Sequence, residues 1–288
     1  LACLSEIFTH DPHNADALVN RALVRLEQKE DDLALADLEL CYKYRSNWSA
    51  IWETLANLYY KKTAYNQARE LLKKLTDSSP DNYKYWQSLG MCNYKLLNFP
   101  VAINCYEKVL ELVPNDKTAV RNLGQAFQFV AYQQPAPQIP PILLKVLNSS
   151  TQRPKSLAGC VISLLKLEPS IQNCLQDISS DVLKETFVAR VNEISQLPLL
   201  LKFLSLCPVS DLQLEGMLKA LRSTLLIKIS SGCSEPSLVS FLSALCAQCY
   251  INEYLYEEDH HETHLINILS DTLEALLSKG YQPNPLQL

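Results

Sequence analysis

The sequence predicts an all-α chain: a solenoid of helical hairpins followed by an all-helical domain. Three observations carry this expectation. The first half repeats with a period of 34 residues. No segment sustains the apolar/polar alternation of a half-buried strand. Only six glycines occur in 288 residues, too few for the turns of a large β protein or the phosphate loops of an α/β enzyme.

The period runs through several residue types at once. Trp52 and Trp86, Leu55 and Leu89, Ala68 and Ala102, and Pro80 and Pro114 are each 34 apart. The register extends back to Ala22, Ala34, Leu38 and Pro12, and forward to Val120, Leu123, Gly124 and Phe127. Each type has a physical job. Ala56, Gly90, Ala68 and Ala102 are small enough to let the two helices of a hairpin approach. Trp52, Trp86, Tyr59 and Tyr106 are large enough to fill the space towards the next hairpin. Pro80 and Pro114 end second helices, because proline restricts the residue before it and lacks a backbone donor. Asn14, Asn82 and Asp116 stand where the next helix needs a cap.

These positions resemble the tetratricopeptide pattern W-x2-L-G-x2-Y, A-x3-F, P. The best copy is W86QSLG90 with Ala102, Tyr106 and Pro114; before it stand Trp52, Leu55, Ala56, Tyr59, Ala68, Leu72 and Pro80. The resemblance implies a stacked array, since no hairpin buries its faces alone. The expected division is a partial repeat at 1–14, repeats at 15–48, 49–82 and 83–116, and a degenerate copy at 117–149 broken by Pro135, Pro137, Pro140 and Pro141, with helix resuming at ILLKVL and 138–148 an irregular end to the array.

Residues 150–279 lose the period but keep helical spacing, as in Leu157, Val161, Leu164 and Leu165, or Leu214, Leu218, Leu221 and Leu225. The latter segment opens with S210DLQ213, a capping-box pattern. Further helices are expected from near Pro236 through FLSALCAQCYINEYL and from about Thr263 to Lys279, closing at Gly280. Residues 280–288 read as a linker. The start at Leu1, inside a helical pattern, and the linker-like end suggest a fragment of a longer protein.

Residues 198–226 (PLLLKFLSLCPVSDLQLEGMLKALRSTLL) and 241–254 (FLSALCAQCYINEY) resemble the helical middle region of tetratricopeptide-containing S-adenosylmethionine-dependent methyltransferases. The run Gln248-Cys249-Tyr250-Ile251-Asn252-Glu253-Tyr254 reproduces a motif of that group. The resemblance implies a methyltransferase domain in cis after residue 288, with this chain its non-catalytic part. The alternatives are a stand-alone scaffold and, more weakly, a glycosyltransferase parent.

Composition narrows the function classes. A formal net charge of −5 gives no reason to expect nucleic acid. The longest apolar runs, such as LPLLLKFLSLCPV, are too short to span a bilayer. Cys41, Cys92, Cys105, Cys174, Cys207 and Cys246 lie among apolar neighbours, which reads as reduced thiols packed in a core, hence a cytoplasmic chain. No G-x-S-x-G, phosphate loop or H-E-x-x-H occurs, and Glu257, Glu258 and Asp259 read as a solvated turn. No cofactor is implied within this chain.

The candidate site is the groove of the repeats, which would take a peptide or protein partner. In the usual repeat geometry the inward positions are Glu53, Asn57 and Tyr60, then Lys84, Gln87, Met91 and Tyr94, then Arg121, Gln125 and Gln128, with Lys61 and Lys95 beside them. Tyrosines, amides and cations together suit peptide recognition. Asn57 matches a position of the carboxylate clamp found in some tetratricopeptide proteins, but Glu53 stands where that clamp wants lysine. Gln248, Asn252 and Glu253 form a second candidate, either an internal polar network or a docking point for a following domain. A third pattern, Cys246-x2-Cys249 followed by His260-x3-His264, approximates zinc-ligand spacing. A helix, a turn and the next helix account for the same letters.

Overall fold

The computed structural model describes residues 11, 14–149, 151–180, 182–230, 238–251, 263, 264 and 267. Among them regular structure is helical throughout. The chain divides into two compact units, Leu1–Ala126 and Phe127–Leu288.

In the first unit, helices α1 (Ala15–Glu27) and α2 (Asp31–Tyr44), α3 (Ser49–Lys61) and α4 (Tyr65–Ser78), and α5 (Tyr83–Lys95) and α6 (Phe99–Leu112) form three hairpins, followed by α7 (Lys117–Phe127). Each hairpin carries small buried residues in register on both its helices: Ala22 and Ala34, Ala56 and Ala68, and Gly90 and Ala102. Ala22, Ala34, Ala56 and Ala68 share one continuous core with Leu18, Leu38, Leu55, Leu72 and Leu89. Asn14, Asn82 and Asp116 do cap: their side chains accept from the backbone N–H of Ala17, Lys84 and Ala119. Helices α4 and α6 end two residues before Pro80 and Pro114.

The period is written into the backbone as well. Lys29, Thr63 and Leu97, each 34 apart, sit in the left-handed region with φ of 63°, 59° and 60°. Each follows the first helix of its hairpin, and the N–H of the next residue returns to Arg25, Tyr59 or Asn93 respectively. This closes the orphan carbonyls of the helix end. The indole N–H groups repeat too: Trp52 donates to Ser46 O and Trp86 to Pro80 O. In the first hairpin the buried carboxylate of Asp37 accepts from both Arg21 (2.8 and 2.5 Å) and Arg25 (2.6 Å). Its desolvation is therefore met by two guanidinium groups.

The second unit contains α8 (Ile139–Asn148), a 3₁₀ turn (Pro154–Leu157) running into α9 (Ala158–Leu165), α10 (Pro169–Ser179), α11 (Leu183–Ser195), α12 (Pro198–Leu204), α13 (Leu212–Ser230) and α14 (Leu238–Ile251). Proline opens α8, α10 and α12, where its missing N–H costs nothing. Phe187, Phe203, Phe241, Leu143 and Leu221 are fully enclosed. Asp177 of α10 accepts from Thr186 Oγ1 and Arg190 Nε of α11, both at 2.6 Å. These bonds hold its carboxyl below the ordinary carboxylate range.

The capping box expected at S210DLQ213 is corrected by the structure. The cap of α13 is Asp211, whose carboxylate accepts from the N–H of Gln213 and Leu214 at 3.1 Å and pairs with Lys166 at 2.9 Å. The helix begins at Leu212, one residue later than a Ser210 cap requires. Among the cysteines, Cys41, Cys92, Cys105, Cys174 and Cys207 are buried as expected and Cys160 joins them. Cys246 is exposed, against its apolar sequence surroundings. Its place on α14 puts it on the face away from buried Phe241, Ala244, Leu245 and Gln248. No helix among the described residues is long and apolar enough to cross a membrane.

Candidate functional site

Helices α1, α3 and α5 position the first-helix residues, and four of the candidates converge. Asn57, Tyr60 and Lys61 line an open depression of about 500 Å³ together with Leu26, Asp31 and Thr54. Asn57 and Tyr60 also line a smaller recess of about 80 Å³ shared with Ser88 and Met91 of α5. Asn57 and Tyr60 thus link the first, second and third hairpins along one face.

Each aromatic on this face is braced by its own hairpin. The Tyr60 ring meets Tyr65 edge-on at 5.3 Å, and Tyr94 meets Phe99 at 5.5 Å, one period later. Burial, with Tyr65 and Cys92 nearby, raises the Tyr60 phenol above its ordinary value, so it stays a neutral donor and acceptor. Lys61 Nζ lies 3.3 Å from Asp31 at the rim. Glu53 is exposed and accepts a hydrogen bond from Tyr85 Oη at 3.1 Å, which ties α3 to α5. Lys84, Lys95 and Arg121 are exposed; Gln87, Tyr94 and Gln125 are half-buried. The sequence placed Lys84, Lys95, Arg121 and Gln125 with the same face, but the depressions around Asn57 and Tyr60 do not include them. Missed in the sequence were Leu26, Asp31, Thr54 and Ser88. Leu26 and Met91 share their place in the register with Tyr60 and Asn57 respectively, which could have drawn attention to Leu26; nothing marked Asp31 or Ser88.

The candidates of the second unit stand apart from this face in chain position. Gln248 has no exposed surface. Asn252, Glu253 and His260 lie outside the described residues, as does the side chain of Cys249. Cys246 and His264 are both exposed, and among the described residues no three His, Cys, Asp or Glu side chains gather as a metal site. An apolar recess of about 290 Å³ lies between α8, α9 and α12, lined by Pro140, Pro141, Leu144, Leu164 and Pro198.

Two stretches match tetratricopeptide repeat models, residues 49–82 and 83–116. No curated protein sequence matches the chain. Among solved structures, the chain is similar to MamA (AMB-1) at 21% identity over 43% of this chain and 68% of that one, with a TM-score of 0.41. It is similar to YrrB, described as a TPR protein with an unusual peptide-binding site, at 17% identity over 74% and 96%, TM-score 0.40. It is also similar to the C-terminal part of a TPR repeat-containing protein from Cytophaga hutchinsonii at 15% identity over 92% of both chains, TM-score 0.39. At these values the likeness carries no function across. The hairpin geometry, the 34-residue backbone period and the two family matches agree: residues 49–116 are two consecutive tetratricopeptide repeats.

Proposed function

We propose that the chain is a protein–protein interaction module whose first-helix face, centred on Asn57 and Tyr60, holds a segment of a partner polypeptide. The observation that carries this is the convergence of Asn57, Tyr60 and Lys61 with Leu26 and Asp31 in one open depression, continued by Asn57 and Tyr60 to Met91. An amide, a neutral phenol and a charged pair over apolar side chains satisfy a peptide backbone and still exclude water from an apolar residue. The face is built on packed helices, so its geometry is fixed before a partner arrives. The expected groove extends to Glu53, Lys84, Gln87, Tyr94, Lys95, Arg121 and Gln125.

A second part of the proposal concerns the parent protein. The run Gln248 to Tyr254 supports a non-catalytic segment of an S-adenosylmethionine-dependent methyltransferase, with Gln248, Asn252 and Glu253 near the docked domain. It rests on that resemblance alone. The six buried free thiols support a reducing, cytoplasmic setting.

Selection of peptides from a random display library against the intact chain tests the first part. A selected peptide should lose at least about tenfold in affinity on combined Asn57→Ala and Tyr60→Ala substitution. Unchanged affinity in that folded double variant would remove the first-helix face as the site.

A further inference from the structure

Consecutive repeats differ at one junction in a way that leaves an open recess. In the junction of α2 with α3, Tyr59 packs on the core and its hydroxyl donates to Glu39 at 2.9 Å. Tyr42 packs on the same core and accepts from Lys74 at 2.6 Å. One period later Asn93 replaces Tyr59, Thr76 replaces Tyr42, and Cys105 replaces Leu71. Two aromatic rings and a leucine side chain give way to three small residues. Where they would lie, between α4, α5 and α6, the structure has an open recess of about 460 Å³ lined by Thr76, Asn93 and Cys105. Asn93 is 2% exposed, its amide N–H donating to Leu89 O at 2.9 Å.

The polar groups of the recess define what it accepts. Lys73 stands where Glu39 stands in the preceding junction, and Arg69 joins it; Glu70 and Asp77 bring the opposite charge. A net charge entering this space meets a like charge on one side. A neutral hydroxyl can accept from an ammonium and donate to a carboxylate. We propose that this recess binds the side chain of a tyrosine presented by a partner polypeptide, its ring occupying the volume that Tyr59 and Tyr42 fill one repeat earlier. Leu89 and Asn93 face away from Gln87 and Met91, because two residues turn an α-helix by about 200°. The site is therefore separate from the first-helix face and stands or falls without it.

The intact chain is titrated with p-cresol, toluene, 4-methylbenzoate and N-acetyltyrosine methylamide while amide shifts of residues 69–105 are followed by NMR. The expected result is saturable binding of p-cresol and of the capped tyrosine at about millimolar concentration. Toluene and 4-methylbenzoate should bind roughly threefold to tenfold more weakly, the loss expected for one hydroxyl's hydrogen bonds. Asn93→Tyr fills the space and should abolish the shifts; Thr76→Tyr does the same from the opposite wall if Asn93→Tyr fails to fold. Lys73→Ala should weaken p-cresol but not toluene. The proposal is overturned by absence of saturable p-cresol shifts, by toluene binding equally well, or by undiminished binding in a folded Asn93→Tyr or Thr76→Tyr variant. Binding of free p-cresol but not of the capped tyrosine overturns the partner side chain in favour of a small phenol.

Discussion

The ring of Tyr106 lies so close over Gly90 that a Cβ on residue 90 would stand 2.6 Å from Cε1 and 2.9 Å from Cδ1 and Cζ. Tyr106 is 1% exposed, so its ring is enclosed by the surrounding side chains. This contact sets the separation of α5 and α6.

Gly90→Ala should therefore lower stability by about 1–2 kcal/mol, because overpacking outweighs the gain in helix propensity. Gly216, in the middle of the first turns of α13, has nothing within 4 Å of its would-be Cβ. Gly216→Ala should raise stability by about 0.5–1 kcal/mol through propensity alone. Urea unfolding of both variants checks the pair, and opposite signs are the expected outcome.

Thr63 and Leu97 both hold left-handed backbone. A side chain at positive φ is disfavoured, most of all a β-branched one. Leu97 is 73% exposed, so removing its side chain sacrifices little burial. Thr63→Gly and Leu97→Gly should each stabilise the chain by about 1 kcal/mol despite the greater freedom of glycine in the unfolded state. Thermal unfolding would show the midpoint rising by a few degrees; a fall would contradict the motif.

The small residues at 56, 68, 90 and 102, the two tryptophans and the two prolines were legible because the period repeats them together. The left-handed residues were not, since Lys29, Thr63 and Leu97 share no side-chain chemistry; only their spacing links them. Asp211 as cap in place of Ser210 was a one-residue ambiguity that hydrogen-bond geometry decides. In the candidate site Asn57, Tyr60 and Lys61 were legible from their register. Asp31 was not, because it comes from the loop end of another helix and reaches Lys61 only through stacking. The recess at Asn93 was hidden in plain periodicity: it is defined by departures from the repeat, and those carry no signal until the neighbouring junction supplies the comparison.

Asp177 makes acid stability predictable in sign. Hydrogen bonds from Arg190 and Thr186, against an opposing contribution from burial, hold its carboxyl below the ordinary 3.8. A depressed folded value means that the stabilisation is complete above the ordinary value and is lost as pH falls through the lowered one. Asp177→Asn should be less stable than the parent at neutral pH, and the two should converge as pH drops below 3.8. Denaturant midpoints from pH 7 downward test this; a constant gap across that range would mean that the charge on Asp177 is not what matters.

Thiol reactivity separates Cys246 from the buried cysteines. Burial pushes Cys105, Cys160 and Cys174 up to about 12, and Cys92 and Cys207 up to about 11. Thiolate, the reactive form, is scarce at those positions and access is closed. Iodoacetamide at neutral pH should label exposed Cys246 well before any of them, with the buried set reacting only on unfolding. Peptide mapping by mass spectrometry reads the order directly.

NMR shift mapping with a display-selected peptide tests whether a polypeptide segment lies on the first-helix face. The predicted result is a contiguous set of perturbed amides over residues 53–61 and 87–94, including Asn57, Tyr60 and Lys61. Perturbations confined to residues outside those two stretches, with Asn57 and Tyr60 unmoved at saturation, would contradict it.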